Sequence, residues 1–429
     1  MPVPSLVETA IIGAGQCGLG ASHLLTQAGR EHVVLEARPS LGGGWQDRWD
    51  SFCLVTPNWT TALPGFAYDG ADPDGFMVRD EIRARLTRYA SVIGAPVILE
   101  CPVARATLRP GPSGFQLETA QGTLRADHLI VATGSYHRPT RPPIADALPA
   151  RLTQLHSHDY TNEAALPPGG VLVVGSGQSG IQLAEELLDA GRETYLAMGS
   201  AGWAPRRYRG RDLFSWLAAL VTDGPRFGVT LPTVDRLPDP RARLAANPQL
   251  TGHGGGHDVD LRALASRGLG LLGRLGAVDG EQLTLAPGLG EALARADGFF
   301  DQRLRPPIDG YIAAAGIDAP DEPVVRSSFV PPERPVIDLT TTGIRTVIWT
   351  TGYRPDFGWL DLPIFDEQGL PRHSRGLSEV PGLGFLGLVW QYNQASATLF
   401  GPTQDGPPLL ARMGLVPAEA VQPSVPNLS

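Results

Sequence analysis

The sequence predicts an α/β fold built from two Rossmann-like dinucleotide-binding domains, the second nested in the first. Two observations lead there. An apolar run, a GxGxxG turn and an amphipathic stretch occur twice, 162 residues apart, each with a strand pattern before the turn and a helix pattern after it. Each unit is later closed by an apolar strand running into a glycine phrase, Ala132-Thr133-Gly134 and Thr350-Thr351-Gly352.

In the first copy a strand over 7–12 enters the turn Gly13-x-Gly15-Gln16-x-Gly18. A helix over 19–28 follows and ends in Ala28-Gly29-Arg30, with glycine where a helix C-cap wants it. The next strand, 31–35, delivers Glu36, 23 residues beyond Gly13, in place to bond the ribose hydroxyls of an adenosine. The glycines let backbone approach a pyrophosphate, which meets the free N–H groups and positive dipole end of the helix. Alternation and Gly/Pro turns over 96–132 read as a small sheet inserted in this domain.

The second copy has a strand over 171–174 and the turn Gly175-Ser176-Gly177-Gln178-Ser179-Gly180. A helix over 181–190 and a strand over 193–197 follow. The residue 23 beyond Gly175 is Met198, not an acid, and residues 205–211 hold four arginines in seven. A missing acid with a basic cluster favours a coenzyme 2′-phosphate, hence NADPH over NADH. Arg206 and Arg207 are the candidate phosphate ligands, with surface decoration as the alternative.

Residues 203–330 read as a cap or substrate wall added to the second domain. A helix is expected over 212–221, a helix feeding a strand over 258–275, and a helical pattern over 291–315 broken at Pro306-Pro307. His253 and His257 sit among glycines without Cys or Glu partners, which favours a flexible loop over a metal site, so no metal is expected. Trp203, Tyr208, Phe214, Trp216, Phe299 and Phe300 suit a core better than a pocket. Residues 418–429 read as a frayed, Pro-rich tail.

Composition excludes several classes. With 429 residues, 42% apolar and 18% charged, the chain is globular, and a net charge of −9 disfavours a dedicated nucleic-acid or anionic-membrane binder. There is no lysine: all 35 basic residues are arginine, which lowers the information in any single one. Cys17, Cys53 and Cys101 form no CxxC, so neither a redox dithiol nor a zinc knuckle is supported. Neither a signal-peptide pattern nor a membrane-length apolar run is present, and a cytoplasmic protein is expected.

The set Gly13-x-Gly15-x-x-Gly18, Gly42-Gly43-Gly44-Trp45, Asp50-Ser51-Phe52 with Leu63-Pro64-Gly65, Ala132-Thr133-Gly134, Gly175-x-Gly177-x-x-Gly180 and Thr351-Gly352-Tyr353 resembles the class B flavin-dependent monooxygenases. The likeness is to the flavin-containing monooxygenases and their bacterial flavoprotein branch, and it covers nearly the whole chain. It implies FAD on the first turn and NADPH on the second, with FAD contacts near Glu36, Arg38, Gly43, Trp45, Val103 and the 132–134 junction. It also implies that 391–397 brings a helix start, with Asn393, against the flavin ring, and makes Trp390 and Tyr392 pocket candidates.

Two departures matter. The family fingerprint keeps His156 and Tyr160 but loses its Phe and Gly, here Ala150 and Leu152. Ending in Tyr160 rather than Trp-Pro leans away from the ketone-oxidising branch, and His156 is either catalytic or a plain linker residue. The family's asparagine near the reactive flavin carbon falls on Val55, so Thr56 or Asn58 takes its place or serves the turn.

The resemblance implies a C4a-(hydro)peroxyflavin and oxygenation of a small molecule by O2, most readily at N or S. Baeyer–Villiger oxygenation and an oxidoreductase without oxygen insertion are the alternatives, and a nucleotide-sensing module the least favoured. No nucleic-acid or membrane partner is expected; a homodimer is possible. The expected division is 1–165 with 335–429 for FAD, and 166–334 for NADPH, including a cap over about 203–330.

Overall fold

A computed structural model describes every residue except Met1, 110–113, 238, 240, 241, 244 and 419–429. Beyond Ala418, the expected tail therefore lies outside the described residues.

The chain opens with β1 (Leu6–Ile12), α1 (Gln16–Gln27) and β2 (His32–Leu35). Helix α2 (Arg79–Val92) leads to β3 (Val97–Ile98), β4 (Val103–Leu108), β5 (Phe115–Thr119) and the long β6 (Gly122–Val131). β1 lies between β2 and β6, parallel to both, and β3 extends the far edge. Ala10 and Ile11 are fully buried, as expected of a central parallel strand covered on both faces. Antiparallel β4 and β5 hang from β6, which is the small inserted sheet of the sequence reading. The strand Leu383–Phe385 returns late in the chain to pair with β6.

β7 (Arg138–Pro139) pairs antiparallel with Tyr353–Arg354, so the two crossings between domains run side by side. The second domain follows with β8 (Thr153–His156), β9 (Gly170–Val174), α3 (Gln178–Asp189) and β10 (Thr194–Ala197). Its sheet is parallel throughout, in the order Gly270–Leu272, β10, β9, Ile344–Trp349, β8. It thus draws on chain outside 166–334 at both ends, and the Gly270–Leu272 strand belongs to it although it falls within the span read as a cap.

The rest of 203–330 packs its own apolar cluster from Trp203, Tyr208, Trp216, Phe300, Ile308 and Tyr311. α4 (Leu213–Thr222) forms where helix was expected. The long helical pattern splits into Leu289–Phe299 and Arg305–Ala315, joined by a wide turn over Phe300–Leu304. Pro306 and Pro307 begin the second helix rather than breaking one, since a first helical turn needs no N–H donors there. Among the described residues no helix is long and apolar enough to cross a membrane.

Candidate cofactor and active site

Both glycine turns have the same build. Gly13 (φ +101°) backs onto the Ala132 carbonyl, where a Cβ would stand 2.9 Å from the oxygen. Gly18 lies on the Gly13 carbonyl, 1.8 Å from a would-be Cβ. Gly175 (φ +109°) likewise backs onto Thr350, and Gly180 onto the Gly175 carbonyl, again 1.8 Å from a would-be Cβ. Only glycine fits at these four places. Neither α1 nor α3 has a side-chain cap, so both leave their first N–H groups free for a ligand.

Above the first turn lies a short 3-10 helix, Gly43–Asp47. It is held by a bond from Trp45 Nε1 to Gln16 Oε1 (3.0 Å) and by a two-bond pair of Arg38 with Asp47 (2.7 and 2.6 Å). Gly43 meets Gly15 face to face, 3.3 Å from a would-be Cβ to the Gly15 Cα. The backbone N–H groups of Ala14 and Arg38 donate to the Glu36 carboxylate at 2.7 and 3.0 Å. Cys101 N–H donates to the Glu36 carbonyl (2.8 Å), which brings Val103 to the same end of the sheet. Among the described residues the buried Thr133 hydroxyl has no partner, and none comes within 4 Å of a would-be Cβ on Gly44 or Gly134. An orphaned hydroxyl, open backbone and a free helix N-terminus fit a large nucleotide such as FAD. The second turn is equally open at Gly177 and Gly352, which fits NADPH.

Sequence reasoning missed Thr350, whose hydroxyl donates to the Val174 and Gly175 carbonyls (2.8 and 2.9 Å) and fixes the second turn. It also missed His137, which lies between the linkers: its Nε2 bonds the Thr133 carbonyl (3.1 Å) and its Nδ1 accepts from Asp356 N–H (2.7 Å). Aligning 349–352 with 131–134 would have found Thr350 opposite Ala132; no sequence signal marks His137. Trp390 holds a positive φ of +56°, a strained conformation for so bulky a residue.

Three of the four candidate catalytic side chains prove to be committed elsewhere. His156 is 1% exposed; its Nε2 bonds the Gly352 carbonyl (3.0 Å) and its Nδ1 accepts from His158 N–H (3.1 Å). Burial pushes its pKa down to about 4, so the ring is neutral and its task is to hold Gly352. Asn58 accepts from Met77 N–H (2.7 Å) and donates to the Asp72 carbonyl (3.0 Å), pinning a loop. Asn393 caps the 3-10 helix Gln394–Ala397 through Ala395 N–H (2.9 Å) and pairs its amide with that of Gln404 (3.0 and 3.1 Å). Thr56 is half-buried, and no hydrogen bond among the described residues engages its hydroxyl.

Arg206 is likewise engaged within the protein rather than presented to a ligand. Its side chain is buried and ion-paired with Asp212. Arg209 pairs with Asp309 (3.1 Å) and Arg211 lies over the Trp216 ring (4.8 Å). Arg207 remains exposed on a tight hairpin. His257, far from a free loop residue, pairs with Glu185 at 2.8 Å. Among the described residues no cluster of three or more metal-ligating side chains occurs, and Cys17, Cys53 and Cys101 are buried free thiols.

Residues 10–222 match the family described as pyridine nucleotide-disulphide oxidoreductase. A CzcO-like oxidoreductase of Geobacillus kaustophilus is 30% identical over 406 residues, 93% of this chain and 96% of that protein. A flavin monooxygenase from Stenotrophomonas maltophilia has the same fold, with a TM-score of 0.65 at 21% identity over 97% of this chain and 99% of that one. The chain belongs to the family of CzcO-like oxidoreductases. A further fold neighbour is the FAD-bound cadaverine monooxygenase DfoA of Erwinia amylovora, with a TM-score of 0.61 at 14% identity over 96% of each chain. The family description names disulphides, but the three separated cysteines here offer no dithiol.

Proposed function

We propose that FAD lies on the Gly13–Gly18 turn and NADPH on the Gly175–Gly180 turn, and that the enzyme oxygenates a small soft nucleophile at nitrogen or sulfur. The observation that carries this is the pair of open glycine cradles, each with an uncapped helix behind it and each tied to a linker by a neutral histidine. The redox chemistry, hydride from NADPH to FAD and then oxygen activation, is supplied by the cofactors. The chain's residues bind, orient and exclude water. Glu36 takes adenosine ribose hydroxyls, Gly15 and Gly43 admit a pyrophosphate, and the Thr133 hydroxyl is left to bond the flavin nucleotide. His137 and His156 hold the Thr133 and Gly352 carbonyls, fixing the two linkers and so the approach of one cofactor to the other.

Thr56, Val55, Trp390 and Tyr392 would form the substrate wall. The cap reaches both sides of it: Val55 packs on the cap's apolar cluster, and Val234 N–H donates to the Tyr392 carbonyl (2.8 Å). A wall of two hydroxyls on otherwise apolar and aromatic surface suits a neutral amine or sulfide, and Tyr160 at the end of the fingerprint supports N or S over ketone. Amines, sulfides and ketones incubated with enzyme, NADPH and O2 test this by mass spectrometry. The expected product is an amine or sulfide heavier by one oxygen; oxygenation of ketones alone, or NADPH oxidation without oxygen uptake, would overturn it.

A further inference from the structure

The buried guanidinium of Arg206 joins the cap to the loop that carries Thr56. It lies between two rings, 4.6 Å from Phe76 and 5.3 Å from Phe214. In its plane, Nε donates to Asp212 (2.7 Å) and Nη1 to the carbonyls of Val55 (2.6 Å) and Thr251 (3.4 Å). Val55 and Phe76 belong to the first domain; the other partners belong to the cap.

The surroundings leave the loop little freedom. A Cβ on Gly252 would stand 2.0 Å from the Leu54 carbonyl oxygen, and one on Gly256 2.8 Å from the Phe76 ring. The Val55 side chain packs on the cap cluster. A charge buried this deeply is tolerated because Asp212 neutralises it and two rings face it. Lysine would not serve, since an ammonium lacks the plane that stacks and donates sideways at once.

We propose that Arg206 is a positioning residue, which fixes Thr56 at the reacting edge through the Val55 carbonyl and thereby sets how much NADPH oxidation ends in product. This rests on the oxygenation reading above. The coupled reaction is NADPH + H⁺ + O2 + S giving NADP⁺ + SO + H2O, where S is the amine or sulfide. When the loop is misplaced, the same two electrons leave as NADPH + H⁺ + O2 giving NADP⁺ + H2O2.

The test is the double variant Arg206→Met with Asp212→Leu, which removes both buried charges at similar volume. Phe76→Leu is a milder second variant should the first not fold. Backbone amides at 53–56 are expected to exchange hydrogen about tenfold faster in the flavin-loaded protein. The H2O2 share of NADPH turnover is expected to rise about fivefold, while KM for NADPH stays within about twofold. Unchanged exchange overturns the positioning role. Faster exchange with unchanged coupling overturns the link to chemistry. A rise of about tenfold in KM for NADPH with unchanged coupling overturns the proposal in favour of a phosphate ligand. If the parent enzyme oxygenates nothing, the oxygenation reading and the coupling role fail with it, and the exchange result still decides the positioning role.

Discussion

Beside the first glycine turn a carboxylate receives the backbone; beside the second a hydroxyl does. Glu36 takes the N–H groups of Ala14 (2.7 Å) and Arg38 (3.0 Å), while Ser176 Oγ takes that of Gly199 (3.0 Å). The turns themselves match glycine for glycine, but where Glu36 follows Leu35 in the first unit, Met198 follows Ala197 in the second. An oriented carboxylate favours ribose hydroxyls and repels a 2′-phosphate. A neutral serine does neither. With NADPH on the second turn, as proposed, selectivity for the phosphorylated coenzyme would begin with the absence of an anion there, and the arginine cluster, largely paired within the protein, would contribute less than its density suggests.

The sharpest way to separate the turns is to block each one. Gly18→Val places side-chain carbon against the Gly13 carbonyl, and the purified protein should be colourless. Gly180→Val does the same at the second turn, and should stay yellow while its anaerobic bleaching by NADPH slows about a hundredfold or more. Visible absorbance and rapid-mixing reduction read the two outcomes. A colourless Gly180→Val protein, or a yellow Gly18→Val protein, would reverse the assignment.

The junctions behind the turns are held by neutral histidines, which gives the comparison a pH dependence. His156 has its folded pKa lowered to about 4 from 6.5, because burial disfavours its charged form. The native state therefore binds fewer protons, and stability is full above about pH 6.5 and lost as pH falls towards 4. That amounts to roughly 2–3 kcal/mol. His137 is shifted the same way by burial. Thermal melts of His156→Gln should fall less steeply than the parent between pH 6.5 and 4; parallel curves would show that His156 is charged in the native state.

Much of this was legible. Strand, turn and helix at 7–28 and 171–190 are written in local periodicity, where glycine spacing and apolar runs dictate structure directly. The side-chain assignments failed where a short polar residue suits two tasks. Asn393 followed by Ser396 is a capping box, and both bonds form. Asn58 is spent on backbone that lies 14 and 19 residues onward. Counting arginines over 205–211 could not foresee that a hairpin pairing Arg207 with Asp212 would fold Arg206 back onto that aspartate. The second sheet's edges were hidden for a similar reason, since β8 and Gly270–Leu272 are short strands whose partners lie far away in sequence.

Restoring an acid at the second turn tests selectivity itself. Met198 follows Ala197, the partner of Val174, as Glu36 follows Leu35, the partner of Ile12, so Met198→Glu places a carboxylate where Glu36 stands beside the first turn. The ratio of kcat/KM for NADPH over NADH should fall about tenfold, since one misplaced like charge is worth about 1–2 kcal/mol. An unchanged ratio would mean that the phosphate lies elsewhere.

The smallest expected effect belongs to Arg207, whose exposed guanidinium has neither a hydrogen-bond partner nor, unlike that of Arg211, a ring beneath it among the described residues. An exposed guanidinium facing a phosphate in water contributes about 0.5–1 kcal/mol. Arg207→Ala should therefore raise KM for NADPH about two- to fivefold and leave that for NADH unchanged. Added salt should shrink the difference, because exposed charge pairs are screened within about 8–10 Å at moderate ionic strength. Equal effects on both coenzymes would remove Arg207 from the phosphate site. Selectivity would then rest wholly on Met198, which stands in place of an acid, and Met198→Glu combined with Arg207→Ala would behave as Met198→Glu alone.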